Sequence, residues 1–276
     1  MRVALLQLTS TDDPARNSEA VRILLREAVA EGAGFVATPE VTNCVSLSRD
    51  RQRSVLVDES EDPVVAMVRD EAARSGIWVA LGSVAVTTDD PGGRFANRSL
   101  LVGPDGGIAV RYDKAHMFDV NVSDGESYRE SAGFRPGGTL ALAETPLGRV
   151  GLSVCYDLRF PYLYRRLAQA GAEVLLIPSA FTPATGAAHW EPLLRARAIE
   201  CGAWVLAAAQ TGEHPAVSGR LRRTWGHSMA VSPWGEVRLE MGTAPGIGYV
   251  ELDLREVRAA RERIPSLGHD RELRGP

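Results

Sequence analysis

Residues 148–161 read GRVGLSVCYDLRFP, and the break inside this stretch decides how the chain is read. Small and branched apolar residues run up to Cys155; a tyrosine, an acid and an arginine follow at once. A short continuous apolar run of this kind reads as a strand buried on both faces. Beyond it, 160–171 reads as a helix, EVLLIPS (173–179) as a strand, AAHWEPLLRARAIECGA (187–203) as a helix and WVLAAAQ (204–210) as a strand. GHSMAVSPWGEVRLEM (226–241) reads as a hairpin about Pro-Trp-Gly, GIGYVELDL (246–254) as a strand and REVRAARERI (255–264) as a last helix.

The first half has the same style. RVALLQL (2–8) is a strand, 12–34 an amphipathic helix and FVATPE (35–40) a strand ending on Glu40. A helix over 62–76, a strand over 77–86 and a hairpin over 97–114 about Pro-Asp-Gly-Gly complete it. Helices alternating with buried strands predict a mixed α/β protein with helices outside. The likeness of the halves suggests two sheets packed together. With no Pro/Ser-rich linker, a single domain over 1–276 is expected, with a C-terminal tail over about 265–276.

Composition narrows the function. The 276 residues carry a net charge of −4, which gives no electrostatic reason to expect nucleic acid or an anionic membrane as partner. The compact basic run GRLRR (219–223) reads as a solvated loop. No apolar run reaches membrane-spanning length, and MRVALLQLTS lacks a full signal-peptide core, so a cytoplasmic protein is expected. Three cysteines, an odd number without Cys-x-x-Cys spacing, argue against a disulfide framework or zinc site. The five histidines are scattered; no metal and no cofactor is expected.

Three polar residues stand at strand ends, where ligands bind in α/β folds: Glu40, Lys114 and Cys155. Taken alone, each has a plain reading: a capping acid, a solvated lysine, a buried structural thiol. Together they supply a base, a cation and a nucleophile, the parts of thiol-mediated acyl transfer. A partly buried Glu40 should have a raised pKa, and Lys114 could lower that of Cys155. A histidine base remains open, with His116, His189 and His227 available.

TPE (38–40), YDK (112–114) and GLSVCYDLRFP (151–161) resemble the nitrilase superfamily of carbon–nitrogen hydrolases. The spacings agree: 74 residues from Glu40 to Lys114 (114 − 40) and 41 from Lys114 to Cys155 (155 − 114). The likeness runs from VALLQL to RERIP near the end. It implies an α-β-β-α sandwich that pairs across helices into a homodimer or larger assembly. It implies that Cys155 attacks a carbonyl carbon, that Glu40 is the base, and that Lys114 and the Tyr156 N–H hold the oxyanion. A second glutamate that positions the lysine falls in ESYRES, at Glu126 or, matching better, Glu130.

PSAFTPATGAAHWEPLLRARAIE (178–200), AAAQTGEH (207–214) and WGHSMAVSPWG (225–235) further resemble the Nit subgroup, which contains omega-amidases and deaminated-glutathione amidases. There Arg159 and Thr185 would bind a substrate carboxylate or carbonyl; a salt bridge from Arg159 to Asp157 is the structural alternative. The resemblance implies an amidase that forms a thioester and releases ammonia from a small ω-amide, with deaminated glutathione the expected substrate. The alternatives are an omega-amidase acting on α-ketoglutaramate, an N-carbamoyl amide hydrolase, and a non-catalytic binding protein of the same fold. Two departures stand out: Tyr162 after RFP, where many relatives have an acid, and a loop VTNCVSLS (41–48) poor in aromatics. Cys44 and Cys201 read as packing residues. His189 and Trp190 open a helix that either lines the pocket or packs and caps.

Overall fold

A computed structural model describes residues 1–122, 127–217, 221–272 and 275. In chain order the strands are β1 (Arg2–Gln7), β2 (Phe35–Ala37), β3 (Trp78–Val86), β4 (Ala96–Val102), β5 (Ile108–Asp113), β6 (Asp119–Asn121), β7 (Ser127–Arg129) and β8 (Leu142–Thr145). They continue with β9 (Gly148–Leu152), β10 (Val174–Leu176), β11 (Trp204–Ala207), β12 (Thr211–His214), β13 (Arg222–Trp225), β14 (Met229–Val231), β15 (Val237–Glu240) and β16 (Gly246–Glu251). The helices are α1 (Pro14–Ala30), α2 (Arg49–Val55), α3 (Pro63–Ser75), α4 (Pro161–Gln169), α5 (Pro183–Cys201) and α6 (Arg255–Arg263).

Twelve strands form two six-stranded sheets, ordered β16-β1-β2-β3-β4-β5 and β8-β9-β10-β11-β14-β15. In each, a parallel trio is flanked by antiparallel strands, so the halves repeat one topology. Parallel neighbours need crossover helices, and α1, α3, α4 and α5 supply them.

The period-two alternation of β1 sorts its residues into two cores. Val3 and Leu5 join a cluster with Val150, Val174 and Val205 of the second sheet. Ala4 and Leu6 face Val21 and Leu25 of α1 and Val64 and Val68 of α3. Leu163 and Leu167 of α4 and Leu194 of α5 extend the first cluster over the far face of the second sheet. The layers are therefore helix, sheet, sheet, helix, the expected α-β-β-α sandwich. Among the described residues, no helix is long and apolar enough to cross a membrane. After α6, Ser266 and Leu267 accept hydrogen bonds from Arg165 and Gln169 of α4.

Several boundaries differ from those read in the sequence, and three of them, next to the cavity, differ for a local reason. β2 ends at Ala37 rather than Glu40, because Pro39 has no N–H for the ladder; its carbonyl instead accepts from Thr42 Oγ1 at 2.7 Å. β9 ends at Leu152, and Cys155 opens a short 3₁₀ turn over Cys155–Arg159. Helix α5 begins at Pro183 instead of 187: Thr182 caps it by accepting from the Thr185 N–H, and Pro183 occupies the first turn.

Candidate active site

Each trio of parallel strands points its carboxyl ends at one cavity of about 330 Å³, and all seven residues singled out above line it: Glu40, Lys114, Glu130, Cys155, Tyr156, Arg159 and Thr185. Glu126, the other glutamate weighed for the lysine, lies outside the described residues.

Lys114 follows directly on β5 and is 2% exposed. Its Nζ donates at 2.9 Å to Glu40 Oε1 and at 2.9 Å to both carboxylate oxygens of Glu130. Glu130 is held in turn by the Phe118 N–H at 2.6 Å. Asn97 on β4 donates to Glu40 Oε1 at 2.9 Å. Glu40 Oε2 is buried without a donor, and Cys155 is the neighbouring acid on which its charge acts.

Burial alone would raise the pKa of Glu40, but the Lys114 ammonium, backed by Arg222, outweighs it and the carboxyl stands below its usual range. The raised pKa expected from burial is thus overturned by charge. Burial also opposes the Lys114 ammonium, yet Glu130 and Glu40 together push its pKa up. For Cys155, burial and the Glu40 charge outweigh Lys114, and the thiol is pushed up. The lowering expected from Lys114 is present but loses. The resting site therefore holds a carboxylate, an ammonium and a neutral thiol.

The backbone is strained at the same place. Among the described residues the non-glycine positions at positive φ are Val41 (47°), Cys155 (50°) and His227 (58°). A β-branched residue there is a genuine outlier, and Val41 follows Glu40 directly. Its N–H is tied to Ser83 Oγ at 2.8 Å, while the Cys155 N–H is tied to the Pro178 carbonyl at 2.9 Å. The turn lifts the thiol off the strand and leaves Tyr156 in a first helical turn, where N–H groups have no partner within the turn.

Arg159 stands over the rings of Tyr156 and Phe181, with its Nη2 3.2 Å from His189 Nδ1. It makes no salt bridge with Asp157. That carboxylate is fully buried and accepts from Tyr112 Oη at 2.8 Å, the His116 N–H at 3.0 Å and the Val154 N–H at 2.9 Å. Thr185 shares a 2.9 Å hydroxyl contact with Thr182. Among the described residues no histidine lines the cavity. Trp190 packs in the core and donates to the His227 carbonyl at 2.7 Å. Cys44 lines the cavity, Cys201 is buried in the core, and burial pushes each thiol up to about 12.

The sequence reading passes over several lining residues, and two of them, Asn97 and Arg222, touch the charged cluster. Asn97 carries a readable signal: a buried amide in an apolar strand needs a partner. Arg222 lay inside the presumed solvated loop. It is on β13, donates to the Ala180 carbonyl at 2.9 Å and faces the cavity. Gly219 and Arg220 of that run lie outside the described residues. Two carboxylates and one ammonium leave a net negative charge, and Arg222 supplies the balancing cation.

A buried carboxylate beside a thiol, with an ammonium fixed between two acids, can take a proton and stabilise an oxyanion. The carbon–nitrogen hydrolase family model matches residues 2–262. The chain belongs to the carbon–nitrogen hydrolase family. It is 39% identical over 274 residues to the deaminated glutathione amidase of Yersinia enterocolitica, covering 98% of this chain and 92% of that one. It is 36% identical over 275 residues to that of Dictyostelium discoideum, covering 97% and 93%. Among solved structures, the C. elegans NitFhit protein superposes with a TM-score of 0.89 at 34% identity, over 98% of this chain and 65% of that one. This carbon–nitrogen hydrolase is accordingly an enzyme of the amidase type.

Proposed function

We propose that this hydrolase cleaves the amide of deaminated glutathione through a thioester on Cys155. The observation that carries the reading is the buried Glu40–Lys114–Glu130 cluster facing a neutral thiol in a cavity bordered by arginines. The names of the relatives support the substrate.

Glu40 accepts the thiol proton as Sγ attacks the amide carbonyl carbon. Lys114 Nζ and the Tyr156 N–H hold the oxyanion. As the C–N bond breaks, Glu40 returns its proton to the departing nitrogen. Glu40 then takes a proton from water, hydroxide adds to the thioester, and the thiol leaves reprotonated. Glu130 keeps the lysine aimed. Arg159, with Thr185 beside it, takes the carboxylate of the acyl portion by a charge-assisted hydrogen bond. Ammonia is the amine released from a primary ω-amide such as α-ketoglutaramate. The amide nitrogen of deaminated glutathione belongs to cysteine, so the same steps release cysteinylglycine from it.

The test compares hydrolysis of deaminated glutathione and α-ketoglutaramate by the wild type and Cys155→Ala. Preference for the first, lost in the variant, supports the reading; preference for the second makes the protein an omega-amidase with the same chemistry. Full activity in Cys155→Ala overturns the nucleophile. We also propose a homodimer through the outer face of α4 and α5, where Tyr162 (56%) and Ile199 (54%) are exposed. A monomeric mass by light scattering would overturn that.

A further inference from the structure

The cavity is bordered by more positive charge than its chemistry uses. Its two acids, Glu40 and Glu130, are both committed to Lys114. Beyond Arg222, which balances the second carboxylate, Arg49 and Arg159 also line it, and among the described residues none of the three has a carboxylate within ion-pair distance. Most buried or half-buried cations in proteins are paired, because an uncompensated charge out of water is costly.

Arg49 is the most constrained of these. It is the first residue of α2, the end of a helix where a cation is disfavoured by the backbone dipole. Its Nη1 donates to Gln52 Oε1 at 2.8 Å, and Gln52 is itself buried and fixed on the Ser46 carbonyl at 3.0 Å. The guanidinium carbon lies 5.3 Å from the centre of the Phe134 ring. Beneath it is Gly133, where a Cβ would fall 1.8 Å from Arg49 Cζ. The φ of Gly133 is −128°, open to any residue, so the missing side chain serves the guanidinium and not the backbone. Nε and Nη2 of Arg49 have no protein acceptor among the described residues. Burial holds the Arg49 pKa below its usual value, against the pull of Glu130. A side chain clamped on three sides, half out of water, at the wrong end of a helix and with no carboxylate at ion-pair distance among the described residues breaks local rules for a purpose outside the free protein.

We infer that Arg49, seated on Gly133 and Phe134, is a second anion subsite that binds the carboxylate of the leaving amine. The inference rests on the deaminated-glutathione reading. That substrate has two carboxylates, one on each side of the scissile amide. Arg159, over Tyr156 and Phe181, takes the one on the acyl side. Arg49, on the wall shared with Glu130 and Phe134, takes the glycine carboxylate of the departing dipeptide. An amide whose leaving group is ammonia has nothing to place there, so Arg49 selects for peptide-like leaving groups.

The test measures kcat/KM for deaminated glutathione and for the same compound with its terminal carboxylate converted to the primary amide, using wild type, Arg49→Gln and Gly133→Ala. The wild type should favour the acid by about 10- to 100-fold, the range of one charged hydrogen bond. In Arg49→Gln that ratio should fall toward one. Gly133→Ala, which displaces the guanidinium while keeping its charge, should lower the ratio in the same direction. Equal losses on both compounds would make Arg49 a structural residue and overturn the subsite, as would an unchanged ratio. No wild-type cleavage of either compound would overturn the substrate reading and the subsite with it, an outcome separate from a wild-type preference that ignores Arg49.

Discussion

At the scale of single residues, charge decides what burial alone would have decided otherwise. Glu40 is held below its usual 4.5 by Lys114 and Arg222, and Cys155 is held above its usual 9.0 by burial and Glu40. The proposed mechanism needs both in these resting forms for attack, so kcat/KM on an amide without groups ionising in between should show no inflection between the ordinary 4.5 of a glutamate and 9.0 of a thiol. A Cys–His pair would instead give an inflection near 6.5; finding one would remove Glu40 from the role of base. Arg222→Met takes away a cation that favours the charged carboxylate. The pKa of Glu40 then rises, and the acid limb should move to higher pH; an unmoved limb would show that Arg222 balances charge elsewhere. A protonated resting thiol also means that slow alkylation of Cys155 is expected of an active enzyme, and does not mark an inert relative. Glu40, Lys114 and Cys155 were legible because each is a polar residue stranded at the end of an apolar run. Their protonation states were not, since those depend on partners from 16 residues away, Glu130 from Lys114, to 182 residues away (222 − 40), Arg222 from Glu40. Arg222 was hidden because a run of arginines looks solvated until strand alternation separates Arg222 from its exposed neighbour Arg223.

At the scale of elements, the strands and helices that carry apolar patterning were legible, and the pieces that build the cavity wall were not. β6, β7, β12 and β13 are three or four residues long and mostly polar, too short for periodicity to register. Helix α2 has the sequence RDRQRSV, with one buried residue, Gln52, so it has no apolar stripe to find. The exact seat of Glu40 depends on a contact between elements. A Cβ on Gly82 of β3 would lie 1.9 Å from the Thr38 carbonyl oxygen, a backbone atom that cannot swing aside. Gly82→Ala should therefore push the Thr38–Glu40 segment off β3 and destabilise the fold by about 1–3 kcal/mol. Urea denaturation measures the loss, and activity should fall further than the folded fraction does because Glu40 moves from Lys114. Full activity in the folded fraction would mean that the segment re-seats without moving its carboxylate.

At the scale of the whole molecule, the two sheets are stitched together behind the backbone of Glu40. The Thr211 N–H donates to the Leu8 carbonyl at 2.8 Å, and Gln210 Nε2 reaches the Glu40 carbonyl at 3.1 Å and Ser10 Oγ at 2.9 Å. His214 closes this seam: Nδ1 sits 2.8 Å from the Ser10 carbonyl and Nε2 2.7 Å from Thr224 Oγ1. With a carbonyl on one side, Nδ1 carries the proton and Nε2 accepts from the threonine. Burial, with Arg222 adding repulsion, lowers the His214 pKa from 6.5 to about 4 despite the Ser10 carbonyl. Between 6.5 and about 4 the unfolded chain binds a proton that the folded chain refuses, so stability falls as the pH drops through that window. The loss from this one group amounts to about 3 kcal/mol by the bottom of the window. Carboxylates titrate there as well, so the contribution is isolated by difference. His214→Asn, which can still donate to Ser10 but does not titrate, should show a shallower decline of the urea midpoint from pH 6.5 to 4 than the wild type. Parallel declines would place the acid sensitivity elsewhere. Because Gln210 joins the same seam to the backbone of Glu40, acid should also weaken the hold on the base before the sheets separate, and activity should be lost at a higher pH than secondary structure.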